Sequence, residues 1–273
     1  MKITLGIDIG STSTKITGLN HSLEIIAKDR AATDDRLISM YGCLGKLLYE
    51  HDIALPDVEK IALTGAGASW ITGDIYGIET IKVPEAEAVA CGALRLSGEQ
   101  AGLIMNIGTG TVFVYTDGEK AVHTGGSGLG GGTLLGLSRK MLNETDVCRI
   151  SALAETGDLK NIDLMMGDVY NMDFSFLPPD ASAANFGKVK TDASGGDIAL
   201  GLLTTIYQVL GVMAVFAAAG KNCTNIIVTG ALAELVQAKQ VLPRVGSLYG
   251  VTFIFPEDAV YATALGSALS IIQ

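Results

Sequence analysis

The 273-residue sequence is poor in the residues that build metal cages, disulfide frameworks and nucleic-acid grips. Its four cysteines, Cys43, Cys91, Cys148 and Cys223, lie far apart with no CxxC pair. That excludes a zinc-ribbon signature and a disulfide scaffold, and makes a reduced, cytoplasmic setting the expectation. The three histidines, His21, His51 and His123, form no HExxH motif. Nineteen Lys and Arg against 29 Asp and Glu leave a formal charge of −10, the wrong sign for a phosphate-backbone or anionic-membrane partner. An anionic small molecule held by backbone amides is compatible with it. No GxxxxGK[ST] occurs, which excludes the usual P-loop. The opening Met-Lys-Ile-Thr-Leu-Gly has no h-region and small-residue cleavage site behind it, so no secretory signal is expected.

What is abundant is apolar material and glycine. Hydrophobic residues make up 48% and charged ones 18%, enough for a large packed core. The 34 glycines show no collagen period, and so point to loops where backbone approaches something closely. Ile198 to Gly220 holds no charged residue and has the length of a bilayer span. Thr204, Thr205, Tyr207 and Gln208 interrupt it, so a buried helix is expected and no membrane partner.

The chain opens with a strand at Ile3–Ile9, a polar turn at Gly10-Ser-Thr-Ser-Thr, a second strand to Leu19 and a third near Leu23–Lys28. A helix is expected over Thr33–Tyr49, a strand over Lys60–Thr64, and a helix with Pro84 at its first position. The pattern then restarts. Leu103–Ile107 and Val112–Thr116 flank Gly108-Thr-Gly-Thr, and Asp117-Gly118 marks a further hairpin. Asp8-Ile9-Gly10-Ser11 overlays Asn106-Ile107-Gly108-Thr109, about 98 residues on, which implies two like-folded lobes with a cleft between them. Helices are expected at Leu134–Met141, Val147–Glu155, Asp163–Tyr170, Ile198–Ala219 and Ala262–Ile271. Phe176-Leu-Pro-Pro-Asp reads as a loop, and strands are expected at Asn225–Val228 and Val251–Phe255. The alternation is that of an α/β fold with mixed sheets.

Four turns have the composition of phosphate cradles: Gly10-Ser-Thr-Ser-Thr, Gly108-Thr-Gly-Thr, the glycine run Gly125–Thr133, and Thr229-Gly230-Ala231. Thr133 is expected to begin a helix whose N-terminal amides face a phosphate. Asp8 ends the first strand beside such a loop, where a carboxylate either holds Mg²⁺ beside a polyphosphate or closes an Asx turn. Lys15, at the loop's far end, either neutralises phosphate charge or is a solvated strand lysine. Glu85 and Glu87, at a helix start, either complement the helix dipole or supply a general base, and spacing alone does not choose.

Asp8-Ile-Gly-Ser-Thr-Ser-Thr-Lys15, Asn106-Ile-Gly-Thr-Gly-Thr111 and the Gly125–Thr133 run resemble the acetate and sugar kinase/heat-shock protein/actin superfamily and, within it, the type II pantothenate kinases. The likeness continues through Glu85-Ala-Glu87, Thr145-Asp146, Gly157–Asp163 and Ala183-Ala-Asn-Phe-Gly187. It implies two actin-like (ribonuclease H-like) lobes, residues 1–100 and 101–273, with a helical insertion in the second and a nucleotide cleft between mixed sheets. It implies an ATP-dependent kinase of the primary hydroxyl of pantothenate, using ATP and Mg²⁺, and a homodimer built partly on the apolar helix. The nucleotide is assigned to Asp8, Gly10, Ser11, Thr12, Lys15, Gly108, Thr109, Gly110, Gly131, Gly132, Thr133 and Gly230, with Asp8 on the metal. The substrate falls to Thr109, His123 and Gly125, and the general base to Glu85. His123 departs from the arginine usual in that family, which leaves a similar small alcohol open as the acceptor in place of pantothenate. The opening also resembles the ATPase activators of 2-hydroxyacyl-CoA dehydratases. Those use two cysteines per subunit for a shared cluster, and the Gly125–Gly132 run here has no cysteine.

Overall fold

The computed structural model describes residues 2–32, 35–170, 177–221 and 223–272. β1 (Ile3–Ile9) is a continuous apolar run buried along its whole length, and it pairs antiparallel with β2 (Thr14–Asn20). β3 (Ile25–Ala31) follows on the outer side of β2. It begins later than expected because Leu23 takes left-handed backbone, φ 61°, in a turn where Asn20 Oδ1 accepts from the amides of Ser22 and Glu24. α1 (Arg36–Glu50) is capped by Asp35, whose Oδ1 accepts from Leu37 and Ile38 amides. The expected start at Thr33 and Asp34 falls outside the described residues. β4 (Val58–Thr64) lies parallel to β1, and β5 (Thr80–Lys82) completes the order β3-β2-β1-β4-β5. α2 (Glu85–Ser97) is capped by Pro84, whose ψ of 133° is extended, so Glu85, not Pro84, is the first helical residue.

The second lobe repeats this plan. β6 (Gly102–Ile107), β7 (Thr111–Thr116) and β8 (Ala121–Ser127) form an antiparallel meander, with Asp117 Oδ1 accepting from Glu119 and Lys120 amides in the expected turn. Gly125 and Gly126 correct the expected glycine loop: they are strand residues of β8, paired with Phe113 and Val112. α3 (Gly131–Met141) places Thr133 third rather than first, and α4 (Val147–Ala154) is capped by Asp146. The helix expected over Asp163–Tyr170 is instead β9 (Leu164–Met165) and the one-turn α5 (Met166–Val169). The reason is Asp163, fully buried, which accepts from Ser182 Oγ, Asn185 Nδ2 and the Phe186 amide. Those bonds draw β10 (Ser182–Ala184) onto β9. The loop expected from Phe176 begins outside the described residues.

α6 (Gly195–Ala219) opens on a capping box of Ser194 and Asp197. The Asp158 amide, bonded to the Asp197 carboxylate, is the chief reason its pKa falls to about 2. By length and composition α6 could cross a membrane, but Leu203, Ile206, Tyr207, Leu210 and Ala214 form the main core of this lobe with Met105, Phe113 and Val228. β11 (Asn225–Thr229), α7 (Val236–Tyr249), β12 (Thr252–Ile254) and α8 (Ala262–Ile272) complete the chain, giving the order β12-β11-β6-β7-β8.

β1–β5 form the first sheet and β6–β8, β11 and β12 the second, while the last helix packs on the first. α8 packs on β1, β2 and β4 of the first sheet, with Leu265, Ala268 and Leu269 against Leu19. α2 lies against the second sheet, Val89, Ala90 and Ala93 meeting Ile104, Val114 and Ile227. The two helices cross where a Cβ on Gly92 would collide with Ala262 O and one on Gly266 with Ala88 O. Each lobe thus completes its core with a helix reaching toward the other.

Candidate active site

Asp8 stands near the end of β1, buried, directly opposite Lys15 in the β1–β2 ladder, and Lys15 Nζ lies 3.4 Å from its Oδ2. Beyond it the chain turns through Gly10–Ser13, closed by the Gly10 amide on Ser13 O at 3.1 Å. The equivalent loop at Gly108–Gly110 closes with the Gly108 amide on Gly110 O at 2.9 Å. The two loops meet, Thr12 Oγ1 lying 3.2 Å from Thr109 Oγ1. Between the lobes, beside these loops, is a cavity of about 720 Å³. Asp8, Gly10, Ser11, Thr12, Lys15, Glu85, Gly108, Thr109, Gly110, Gly131 and Gly230 line it.

A second repeat, which the sequence analysis missed, sits on the opposite side of the same strands. β4 ends Thr64-Gly65-Ala66 and β11 ends Thr229-Gly230-Ala231, with φ of 87° at Gly65 and 89° at Gly230. Thr64 pairs with Asp8 and Thr229 with Asn106. A Cβ on Gly65 would overlap Asp8 Oδ1; one on Gly230 would lie 2.5 Å from Ile107 O and 2.8 Å from Asn106 Oδ1. Glycine is therefore required twice, by positive φ and by close approach. The signal was the identical Thr-Gly-Ala after two strands.

The glycine run before α3 works differently from expectation. The Gly131 amide donates to Gly108 O and the Gly132 amide to Thr109 O, both at 2.8 Å. These helix-terminal donors are spent on holding the Gly108–Gly110 loop. Gly132 and Thr133 do not line the cavity, and Thr133 Oγ1 donates to Gly128 O. Gly125 and His123 do not line it either; His123 is an exposed residue of β8 opposite Val114.

Glu85 enters the cavity from the first turn of α2. Burial raises its pKa above the ordinary carboxylate value, the Asp8 charge raises it further, and Lys15 and His123 oppose both. His123 is thus within electrostatic reach of Glu85 without lining the cavity. Glu87 lies off the cavity and acts instead on Cys91, whose thiol is raised chiefly by burial.

The cavity lining also includes the apolar Leu135, Val147, Leu232, Leu235 and Val260, together with Thr145, Asp146 and Cys148. Two ion pairs that sequence did not suggest bridge β3 to the second lobe, and only the first touches the cavity. Arg30 Nη1 lies 3.4 Å from Glu234 Oε2, and Lys28 Nζ lies 2.6 Å from Asp258 Oδ1. Among the described residues no group of three His, Cys, Asp or Glu side chains could hold a metal ion by itself. Asp8 suits instead a hard cation that brings phosphate and water oxygens with it.

Two mixed sheets of one plan, with a cleft where their first hairpins meet, define the two-lobed actin-like fold. The solved activator of the 2-hydroxyisocaproyl-CoA dehydratase from Clostridium difficile with bound ADPNP matches 99% of this chain and 94% of its own, at TM-score 0.73 and 17% identity. A ROK family glucokinase from Streptomyces griseus, solved with glucose and AMPPNP, matches 98% of each chain at TM-score 0.62 and 14% identity. Residues 101–248 match the Fumble family. A type II pantothenate kinase of Bacillus thuringiensis subsp. konkukian is 27% identical over 98% of both chains. One from Staphylococcus epidermidis is 31% identical over 77% of this chain and 83% of that one. The chain belongs to the Fumble family, alongside these type II pantothenate kinases.

Proposed function

We propose that the chain is an ATP-dependent pantothenate kinase, transferring the γ-phosphoryl group of ATP to the primary hydroxyl of pantothenate, the first step toward coenzyme A. The observation that carries this reading is Glu85, a carboxylate of raised pKa in the same cavity as Asp8, Lys15 and the two hairpin loops. The curated relatives supply the substrate. Glu85 accepts the proton of the acceptor hydroxyl as its oxygen bonds to phosphorus, and the bond to the bridging oxygen breaks to release ADP. Mg²⁺, held by Asp8 together with phosphate oxygens, would neutralise charge on the transferring group. Lys15 and the Ser11–Thr12 and Thr109 hydroxyls bind phosphate, and the apolar lining that includes Leu135 and Leu235 takes the base. Thr109, which lines the cavity, is read on the acceptor side, while Gly125 and His123 lie on β8 outside that lining.

The cytoplasm suits four free thiols. The charge of −10 disfavours nucleic acid, and the burial of α6 in the core disfavours a membrane role. A homodimer is read on the outer face of α6, where Val209 and Phe216 are exposed.

The test is transfer of radioactive phosphate from ATP to pantothenate, pantetheine and a panel of small sugars, with and without Mg²⁺. Label in the pantothenate-type alcohols only with Mg²⁺ is the expected result. Label in a sugar alone would replace the substrate, and phosphate released to water alone would replace the kinase. An activator-like ATPase is the second reading, prompted by the activator's fold likeness, and iron in anaerobically purified protein would favour it.

A further inference from the structure

The charged residues of α1 are Arg36, Lys46 and Glu50, and from Leu37 to Gly45 it carries none. Its inner face, Met40, Cys43, Leu44 and Leu47, packs in the core of the first lobe. A surface helix normally turns a polar face outward, and one that is apolar all round is covered on both sides. The outward stripe of α1 is Ile38, Gly42, Gly45 and Tyr49, spaced i, i+4, i+7 and i+11. Ile38 is 65% exposed and Tyr49 87%. Beside them the exposed Tyr41 meets Tyr76, also exposed, edge to face with ring centroids 5.4 Å apart. Glycine inside a helix is destabilising relative to alanine. At Gly92 and Gly266 the crossing of α2 and α8 explains it, and at Gly201 and Gly211 the side chains packed on them do. A Cβ on Gly42 or Gly45 would meet nothing within 4 Å among the described residues.

We infer that the outer face of α1 is a self-association surface, on which the α1 of a second copy crosses antiparallel over Gly42 and Gly45. Symmetry singles out a second copy as the occupant. About the point midway between Cys43 and Leu44 the stripe runs large, small, small, large in both directions. Antiparallel pairing about that point sets Gly42 opposite Gly45, Ile38 opposite Tyr49, and Tyr41 opposite Lys46. Such self-complementarity is what an isologous two-fold contact requires. The register opposes no like charges on this face, and it brings a cation to the Tyr41 ring. Lys46 is already paired with Asp29 at 2.9 Å and Glu50 at 3.6 Å, so no unpaired charge enters the contact. Area agrees. At about 150–250 Å² per aromatic ring, the exposed parts of Tyr41, Tyr49 and Tyr76, with Ile38 and Leu37, leave roughly 500 Å² uncovered on one copy. Covering that face on two copies buries about 1,000 Å², the size at which an interface holds. The contact is independent of the kinase reading and separate from the one read on α6. If both form, dimers built on α6 pair through α1 into tetramers.

The test is sedimentation velocity of the full chain from about 1 to 100 μM, a range that reaches the weak end for an interface of this size. The variant is Gly42→Gln/Gly45→Gln, which fills the crossing with polar chains where a single copy has room for them. Glutamine is a better helix former than glycine, so helicity by circular dichroism should be equal or higher, and lost assembly is then not lost folding. The wild type should associate, and the double variant should weaken that step by about thirtyfold or more, the scale of one interface hot spot. Phe216→Asp on α6 should leave the step in place. Register is read by mixing the Ile38→Cys protein with the Tyr49→Cys protein under mild oxidation and mapping disulfides by mass spectrometry. A bridge between positions 38 and 49 is expected. A wild type still monomeric at about 100 μM leaves the face to some other occupant and overturns the inference. Association that Gly42→Gln/Gly45→Gln leaves untouched overturns it too, as does a bridge formed only between like positions.

Discussion

In the first lobe the strand entering the cleft carries Asp8, faces Lys15 across its hairpin, and is followed after the sheet by a helix opening on Glu85. In the second lobe the corresponding places hold Asn106, Val112 opposite it, and Ala259, if Gly92 is aligned with Gly266. The backbones repeat closely, down to the Thr-Gly-Ala ends of β4 and β11. Asn106 accepts a neutral hydrogen bond from Thr229 Oγ1 at 3.2 Å, and the Ala259 carbonyl holds the Gly230 amide. The repeated backbone shapes the cleft, while the aspartate–lysine pair and the helix-start glutamate occur in the first lobe alone and the leucine and valine lining comes from the second. A reaction on a phosphoryl group needs that asymmetry, since two opposed carboxylate strands would repel the nucleotide.

The largest effect should come from removing Glu85, the proposed base, which has no acidic counterpart in the second lobe. Glu85→Gln should lower kcat by about 10²–10⁴ while nucleotide binding by calorimetry persists, whereas Glu87→Gln should leave kcat nearly intact. A loss on Glu87→Gln with Glu85→Gln unaffected would reverse the assignment.

Next in size, Asp8→Asn makes the first strand chemically like the second. Turnover at limiting Mg²⁺ should fall by about 10²–10³, the scale of losing one charge-organising group. The double variant Asp8→Asn/Asn106→Asp, which moves the carboxylate to the other lobe, should not recover it. Recovery would mean that the two hairpins are interchangeable, and that Lys15 and Glu85 do not fix where the charge must be.

Much of this comparison is legible in the amino-acid sequence. β1, β2, β6 and β7 are apolar runs around polar turns, and their repeat sets two lobes and a cleft. The end of β8 was hidden because Gly125 and Gly126 look like loop residues, although a pairing partner makes them strand. α7 was hidden by Pro243 inside it. Asp8, Lys15 and Glu85 were legible as candidates because each sits at the end of an element facing a loop. The Arg30–Glu234 and Lys28–Asp258 pairs were not, since each joins residues more than 200 positions apart. The exchange of α2 and α8 is likewise tertiary: Ala88 and Gly92, Ala262 and Gly266 become meaningful only when the helices cross.

The shared glycines offer a smaller test. Gly65→Ala and Gly230→Ala should each cost roughly 1–3 kcal/mol by denaturant unfolding, from positive φ and crowding of the neighbouring strand. Their kinetics should differ. Gly65→Ala displaces Asp8 and should lower kcat, while Gly230→Ala crowds Asn106 and Ile107 O and should raise the KM for ATP. Identical kinetic signatures would show that the lobes do not divide the work.

The smallest effect is a displacement of the pH profile rather than a loss of rate. As the proposed base, Glu85 would work ionised, so kcat/KM for a neutral acceptor should rise with pH through the Glu85 pKa, which burial and then Asp8 hold above the ordinary carboxylate value of about 4.3. Asp8→Asn removes a like charge, which makes ionisation of Glu85 easier, and the acid limb should move to lower pH. Lys15→Met removes an opposing cation and leaves Asp8 unpaired, so the limb should move to higher pH. Each displacement should be some tenths of a unit to about one unit, because burial, the largest cause, remains in both variants. Residual activity suffices, since the measurement reads the position of the limb and not its height. The two variants strip opposite ends of one ion pair, so an effect transmitted only through damaged structure would displace both limbs the same way. Displacement in opposite directions requires that Asp8 and Lys15 act on Glu85 as charges, which the second lobe, with Asn106 and Val112 in their places, cannot do.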